Sequence, residues 1–240
     1  MIAIDNLSFA YGDNRVLDGI SLRINEGELF GLLGANGAGK TTLISILNGL
    51  LPYKSGDVKI CGKDLKTQIR SIQKEAALIP QTLAFYPNLS ARENLDYFGS
   101  LYGLKGAKLQ SKIDEVIEIT SLQKVQNRFA KHYSGGLKRR LNIAIGLLHE
   151  PKIIYFDEPT VGIDPQSRNY ILQMIRRINK EKNTTIVYTS HYMEEVAFLC
   201  DKVAVIDAGK VLRRLEKDDF GDAKTLEQIF LELTHSKLRD

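Results

Sequence analysis

Cysteine is scarce: Cys61 and Cys200 are the only two. They stand far apart and in no CxxC pattern, so neither a disulfide framework nor a zinc site is expected, and a reducing cytosol suits the chain. Long apolar runs are missing as well. No stretch approaches the roughly 18 consecutive apolar residues that suggest a membrane span. The opening "MIAIDNLSFAYG" lacks a basic region followed by an apolar core, so no secretory signal is expected. Work at a membrane would therefore need another protein as anchor. Repeats, low-complexity tracts and Pro/Ser-rich linkers are absent too. With 240 residues, 43% apolar and 26% charged, the chain suits one large domain, or a core with a subdomain, burying a substantial interior. The formal charge of +4 is too small a bias to argue for nucleic acid as a partner.

What is present is β-α alternation. "IAIDNLSFAY" and "DGISLRI" alternate in part, and "ELFGLLG" reads as a buried strand ending in glycine. "KTTLISILNGLL" reads as a helix, with Leu43, Ile46, Leu47 and Leu50 at i, i+3, i+4 and i+7 on one apolar face. "AALIPQ" is a short strand stopped by Pro80. From Ser90 to about Lys131 the pattern is helical, opened by a capping box of Ser90 and Glu93 and continued by "LQSKIDEVIEIT". "GGLKRRLNIAIGLLHE" is a third helix, closed by Pro151. Then come the strand "KIIYFDE", a helix starting at Asp164-Pro165, the strand "TTIVYTS", another helix, two strands around a glycine in "KVAVIDAGKVLRRL", and a final helix, "TLEQIFLEL". This alternation predicts a mostly parallel sheet with helices on both faces and a helical insertion in the middle.

Chemistry concentrates at a few places. Gly34-Ala35-Asn36-Gly37-Ala38-Gly39-Lys40-Thr41 matches G-x-x-x-x-G-K-[ST] between a predicted strand and a predicted helix, the setting a phosphate loop requires. Backbone N–H groups from Gly34 through Thr42 would surround phosphate oxygens, and the helix dipole adds positive potential. Lys40 would reach the β- and γ-phosphates and the Thr41 hydroxyl would bind Mg²⁺. Asp157 and Glu158 end a buried strand; beside a phosphate loop, Asp157 suits the Mg²⁺ shell and Glu158 a general base for water. Gln81, Asp164 and His191 sit at expected strand ends, and each alone would read as an ordinary satisfied polar group. Ser134, Gly135 and Gly136 open a helix, where a hydroxyl and free N–H groups make a second anion site. Lys138, Arg139 and Arg140 read as a solvated helix face.

Taken in order, the phosphate loop, Pro80-Gln81, "YSGGL", "IIYFDEP", "VGIDP" and "TSH" resemble the nucleotide-binding subunit of an ATP-binding cassette (ABC) transporter over essentially the whole chain. The resemblance implies an α/β fold: a P-loop NTPase, RecA-like core with a mostly parallel sheet, an antiparallel β subdomain and an inserted helical subdomain. It implies one domain, with its core over about residues 1–81 and 151–215, the helical part over 82–150 and a tail from 216 to 240. ATP and Mg²⁺ are the implied cofactors. By position, Tyr11 resembles the aromatic that stacks on adenine, Gln81 the residue that contacts Mg²⁺ and the attacking water, and His191 the γ-phosphate sensor. Asp164 resembles the residue that reaches toward a second subunit. Ser134, Gly135 and Gly136 resemble the signature that caps the γ-phosphate held by a partner's phosphate loop.

The implied assembly is a dimer with a second copy or a paralogue, docked on an integral-membrane permease at the cytoplasmic face of the cell membrane. "KRRLNIAIGLL" resembles the drug, antibiotic and sodium exporter branch. The chain departs from the family pattern at Leu137, where glutamine is usual, and at Ala35, where many members have proline. Phe85, Tyr86, Tyr97, Phe98 and Tyr102 make the stretch after Gln81 rich in aromatics. Most suit ordinary helix packing, whereas Phe85 and Tyr86 suit a groove for a short helix of the membrane partner. A soluble assembly or repair ATPase of the same family is the alternative. A switch GTPase is disfavoured by the lack of an Asn-Lys-x-Asp guanine-selecting motif.

Overall fold

The computed structural model describes residues 1–234. Two long strands, β1 (Ile2–Tyr11) and β2 (Asn14–Ile24), precede β3 (Leu29–Leu33), helix α1 (Lys40–Leu47), β4 (Ser55–Ile60), the two-residue β5 (Lys63–Asp64), α2 (Ile69–Gln73) and β6 (Ala76–Ile79). Three helices follow: α3 (Ala91–Leu101), α4 (Gly106–Ile119) and α5 (Gly135–Leu147). The chain then runs through β7 (Ile153–Asp157), α6 (Pro165–Lys182), β8 (Thr185–Ser190), α7 (Met193–Leu199), β9 (Lys202–Asp207), β10 (Lys210–Glu216), α8 (Lys217–Phe220) and α9 (Ala223–Thr234). Residues 235–240 of the expected tail lie outside the described residues.

Six strands form one sheet in the order β10-β9-β3-β8-β7-β6. Its five members from β9 to β6 are parallel, and only β10 runs against its neighbour. All residues of β3, β7 and β8 are buried, as expected of parallel strands covered on both faces. Side chains alternate between two cores. Leu29, Leu33, Ile154, Phe156 and Tyr188 join α3 to α7 and α9, while Phe30, Leu32, Tyr155 and Val187 face the other way. Each fully buried side chain of this size contributes about 1.5–3 kcal/mol.

The second face carries helices as expected, together with the antiparallel β subdomain that the family resemblance implies. It is covered by a four-stranded antiparallel sheet, β2-β1-β4-β5, together with α1 and Ile72 of α2. Ile2, Ile4, Leu7, Leu17, Ile20, Leu22 and Ile24 of its hairpin are all buried there. Two helix expectations shift. Helix α1 ends at Leu47, so Leu50 falls beyond it and is 60% exposed. Helix α5 ends at Leu147, before Pro151, which lies in the connection to β7. The capping box is present: Ser90 Oγ accepts from the Glu93 N–H at 3.2 Å, and Glu93 Oε2 accepts from the Ser90 N–H at 2.7 Å.

Because β3, β6, β7 and β8 are parallel, their carboxyl ends share one edge. The loops leaving that edge carry Gly34–Gly39, Pro80-Gln81, Asp157-Glu158 and Ser190-His191. Parallel topology thus gathers segments distant in sequence into one place.

Candidate nucleotide site

The loop after β3 turns sharply into α1. Gly39 has φ +104°, and a Cβ there would meet Leu17 Cδ2 at 2.7 Å, so no side chain fits. The loop is braced from outside. The Gly209 N–H, in the β9–β10 turn, donates to the Ala38 carbonyl at 3.2 Å, and the Asp18 N–H of β2 donates to the Gly209 carbonyl at 2.9 Å. Lys40 folds back over the loop. Its Nζ donates to the carbonyls of Gly34 at 2.7 Å and Ala35 at 3.1 Å, and lies 3.4 Å from Glu158 Oε1. Burial pushes the Lys40 pKa down, against the opposing pull of Glu158 and Asp157.

Asp157 sits behind the loop. It accepts from Thr41 Oγ1 at 3.1 Å and from Thr189 Oγ1 at 3.0 Å. Two hydroxyls from separate elements fix the carboxylate, which is 7% exposed. The next residue, Glu158, has φ +45°, a left-handed backbone that costs a non-glycine residue about 1–2 kcal/mol. Its N–H is held by Thr189 Oγ1 at 3.0 Å. That turn brings the carboxylate between Lys40 and His191, whose Nδ1 is 3.2 Å from Glu158 Oε2. Strain kept at an acid beside a phosphate loop marks a functional position.

A cavity of about 540 Å³ opens over this arrangement, lined by Tyr11, Asn36 through Thr42, Gln81, Glu158 and His191. Tyr11 is 52% exposed and meets Phe9 edge-on at 4.8 Å. Gly34 and Asp157 support the cavity from beneath rather than line it. Asn14, Val16 and Val161 complete the lining. The sequence gives no signal for Asn14 and Val16, which fall between the two expected strands, and Val161 stands out only within "VGIDP". Thr189 was passed over too; its signal was its place in "TSH" at the end of a buried strand.

Ser134, Gly135, Gly136 and Asp164 do not line the cavity. Ser134 Oγ caps α5, accepting from the Leu137 N–H at 3.3 Å. Asp164 is not at a strand end: its Oδ1 caps α6, accepting from the Ser167 N–H at 2.9 Å. That bond lowers the Asp164 pKa. A Cβ on Gly136 would lie 2.6 Å from Ser167 Cβ, so the two helix starts pack closely side by side. Ser134 and Gly135 are exposed.

The basic run differs from its sequence reading. Arg139 is 3% exposed and donates to the carbonyls of Pro80 at 2.8 Å and Gln81 at 2.7 Å. Arg140 Nη1 donates to the Thr120 and Ser121 carbonyls, and its guanidinium lies 4.9 Å over the Tyr170 ring. Lys138 is half-buried. Of the aromatic stretch, Phe85 packs on the helical core, whereas Tyr86 is 47% exposed and meets Tyr97 edge-on at 5.0 Å.

Comparison with known proteins agrees with this geometry. Residues 17–161 match the ABC transporter family. The chain is 43% identical to the linearmycin resistance ATP-binding protein LnrL of Bacillus subtilis, over 91% of this chain and 70% of that one. It is 35% identical to the daunorubicin resistance ATP-binding protein DrrA3 of Streptomyces coeruleorubidus, over 91% and 69%, and 35% identical to a Nod factor export ATP-binding protein of Paraburkholderia xenovorans, over 87% and 68%. Among solved structures it resembles CbiO1 of Clostridium perfringens, part of an ABC transporter complex, with a TM-score of 0.86, 26% identity and coverage of 97% and 95%. A dimeric bacterial ABC transporter cassette gives a TM-score of 0.81, 25% identity and coverage of 90% and 99%. Among the described residues, no helix is long and apolar enough to cross a membrane. With a phosphate loop, an acid pair and a histidine around one cavity, and relatives over nine-tenths of its length, the chain belongs to the ABC transporter family as an ATP-binding, ATP-hydrolysing subunit.

Proposed function

We propose that two cassettes, this chain with a second copy or with a paralogue, close face to face around ATP and drive export through a separate membrane permease. The observation that carries the reading is the split site. The cavity holds the loop and Glu158, whereas Ser134–Gly136 and Asp164 lie outside it, with Ser134, Gly135 and Asp164 exposed. Each element set lacks what the other offers, so a head-to-tail pair completes two sites.

In this mechanism the N–H groups from Asn36 to Thr42 and the Lys40 ammonium hold the phosphates, and Tyr11 stacks on the base. Stacking tolerates different bases, so base selectivity is weak. The oxygens of Thr41 and Asp157 form a small hard-donor set with Gln81 close by, which fits Mg²⁺ completed by water and phosphate. When bound, Mg²⁺ neutralises charge developing between the phosphates. Glu158 accepts the proton of the attacking water, while His191 fixes its carboxylate and faces the γ-phosphate. The partner's signature caps that phosphate through serine and backbone groups, since Leu137 offers no amide. Hydrolysis separates the anions and the dimer reopens.

The resistance and export names of the relatives favour transport over an assembly or repair ATPase. The exposed aromatics around Tyr86 supply a surface for a short helix of the permease, which would hold the subunit at the cytoplasmic membrane face. The proposed division places the helical part over about residues 82–150 and the core on either side of it. Ser134→Arg tests the split site. It should abolish phosphate release while the isolated monomer still binds ATP–Mg²⁺; loss of ATP binding by that monomer would refute the reading.

A further inference from the structure

Arg139 lies in a part of the molecule that the catalytic roles above leave unused. Its guanidinium is almost fully buried, and among the described residues it forms no ion pair with a carboxylate. Its polar partners are two successive backbone carbonyls, those of Pro80 and Gln81, and among the described residues its Nε has none. A buried cation without an anion is costly, and is tolerated only where hydrogen bonds hold it. One turn along α5, Asn142 grips the same loop: its Oδ1 accepts from the Ala84 N–H at 3.0 Å. The segment Pro80–Ala84 is thus suspended from α5 at both ends, while the Gln81 side chain lines the cavity.

Ser134 is the N-cap of the same helix. Arg139 is five positions beyond Ser134, about 7.5 Å of helix, short enough for the helix to act as a rigid bar. The rigid planar fork of a guanidinium holds two carbonyls from two separate nitrogens, a fixed geometry that the single nitrogen of a lysine does not reproduce. Leaving the loop would break both bonds and strand a buried charge, so the contact favours two discrete arrangements over gradual slippage.

We propose that Arg139 is a positioning residue that ties Gln81 to the amino terminus of α5, so that a partner's nucleotide engaging Ser134 sets Gln81 against Glu158 in this chain's own cavity. The proposal rests on Gln81 and Ser134 serving the nucleotide sites as proposed above. It makes each cavity respond to occupancy of the neighbouring one.

The chain contains no tryptophan, so Leu83→Trp, on the suspended segment and outside the cavity lining, provides a single fluorescent reporter. Arg139→Met and Arg139→Lys are compared in this background, with Gln81→Ala as control. ATP–Mg²⁺ affinity of the monomer, kcat and KM from phosphate release, and ATP-dependent tryptophan emission are measured. Arg139→Met should keep affinity within about threefold and lower kcat by about tenfold or more. It should also lose the ATP-dependent emission change, and Arg139→Lys should recover part of both. If Arg139→Met does not fold, Arg139→Lys, which keeps the charge without the fork, reads the same split between kcat and affinity.

Unchanged kcat and emission response in Arg139→Met overturn the proposal. Loss of affinity in parallel with kcat overturns it too, since that marks a structural prop. A reporter silent to ATP in the otherwise unaltered chain does the same. Gln81→Ala at full rate removes the role of Gln81 itself, whereas a slow Gln81→Ala beside a normal Arg139→Met rejects Arg139 alone.

Discussion

Glu158→Gln separates binding from chemistry at this site. The amide keeps the shape of the side chain but neither its charge nor its capacity to take a proton. A positioned general base contributes about 10²–10⁴ in rate, or about 3–5 kcal/mol of barrier at about 1.36 kcal/mol per decade. Turnover should fall by that factor. ATP affinity should hold or rise, because a carboxylate 3.4 Å from Lys40 also repels the incoming phosphates. Without nucleotide, the variant loses the counter-charge of a lysine that is 5% exposed. The carbonyls of Gly34 and Ala35 remain, so the cost should be about 1–3 kcal/mol, a fall in Tm of about 2–10 °C. Saturating ATP–Mg²⁺ at about 100 times Kd returns about 2.7 kcal/mol and should largely restore Tm. Steady-state phosphate release and thermal melts with and without ATP–Mg²⁺ make the measurement. Turnover at the unaltered rate, or a Tm that ignores ATP, would refute the assignment of Glu158.

Mixing Ser134→Arg subunits, which keep a sound phosphate loop, with Lys40→Met subunits, which keep a sound signature, should regain turnover that neither shows alone; a mixture as inactive as its parts argues against shared sites. Gly136→Ala drives a methyl into Ser167 and should cost about 1–3 kcal/mol in a denaturant melt, with Ser167→Gly recovering part of it. His149, stacked on Tyr102 at 4.2 Å, has its pKa lowered from 6.5 by burial. Above pH 6.5 the ring is neutral folded and unfolded, and there is no penalty. As pH falls below 6.5 the unfolded chain takes the proton first, so stability drops until the folded pKa is passed. His149→Asn should flatten that part of the stability–pH curve, and an unaltered slope would reject the attribution.

The nucleotide cavity was legible in the sequence because local rules fix its parts. A glycine-rich turn between strand and helix, an acid pair closing an apolar strand, and Asp164-Pro165 at a helix start each carry their reason within a few residues. The antiparallel layer followed from the family resemblance and not from local pattern, because β1 pairs with β4 across more than forty residues and the register slips at bulges. Alternation shows that such strands bury one face without showing against what. Leu50 fitted a helical period that the chain abandons after Leu47. Arg139 failed for a different reason: a charge in a basic run reads as solvated, and only the loop folded over it reveals two carbonyls waiting for donors.

The brace between Gly209, Ala38 and Asp18 bears on portability. The phosphate cradle looks like a self-contained motif, a strand and a helix around a short loop. Its shape nevertheless depends on a turn near the far end of the chain and on the second strand of the opening hairpin. A fragment carrying β3 and α1 alone would keep the motif and lose the mould. A one-residue insertion between Asp207 and Lys210, remote from every phosphate contact in sequence, would deform the cradle as surely as a change within it.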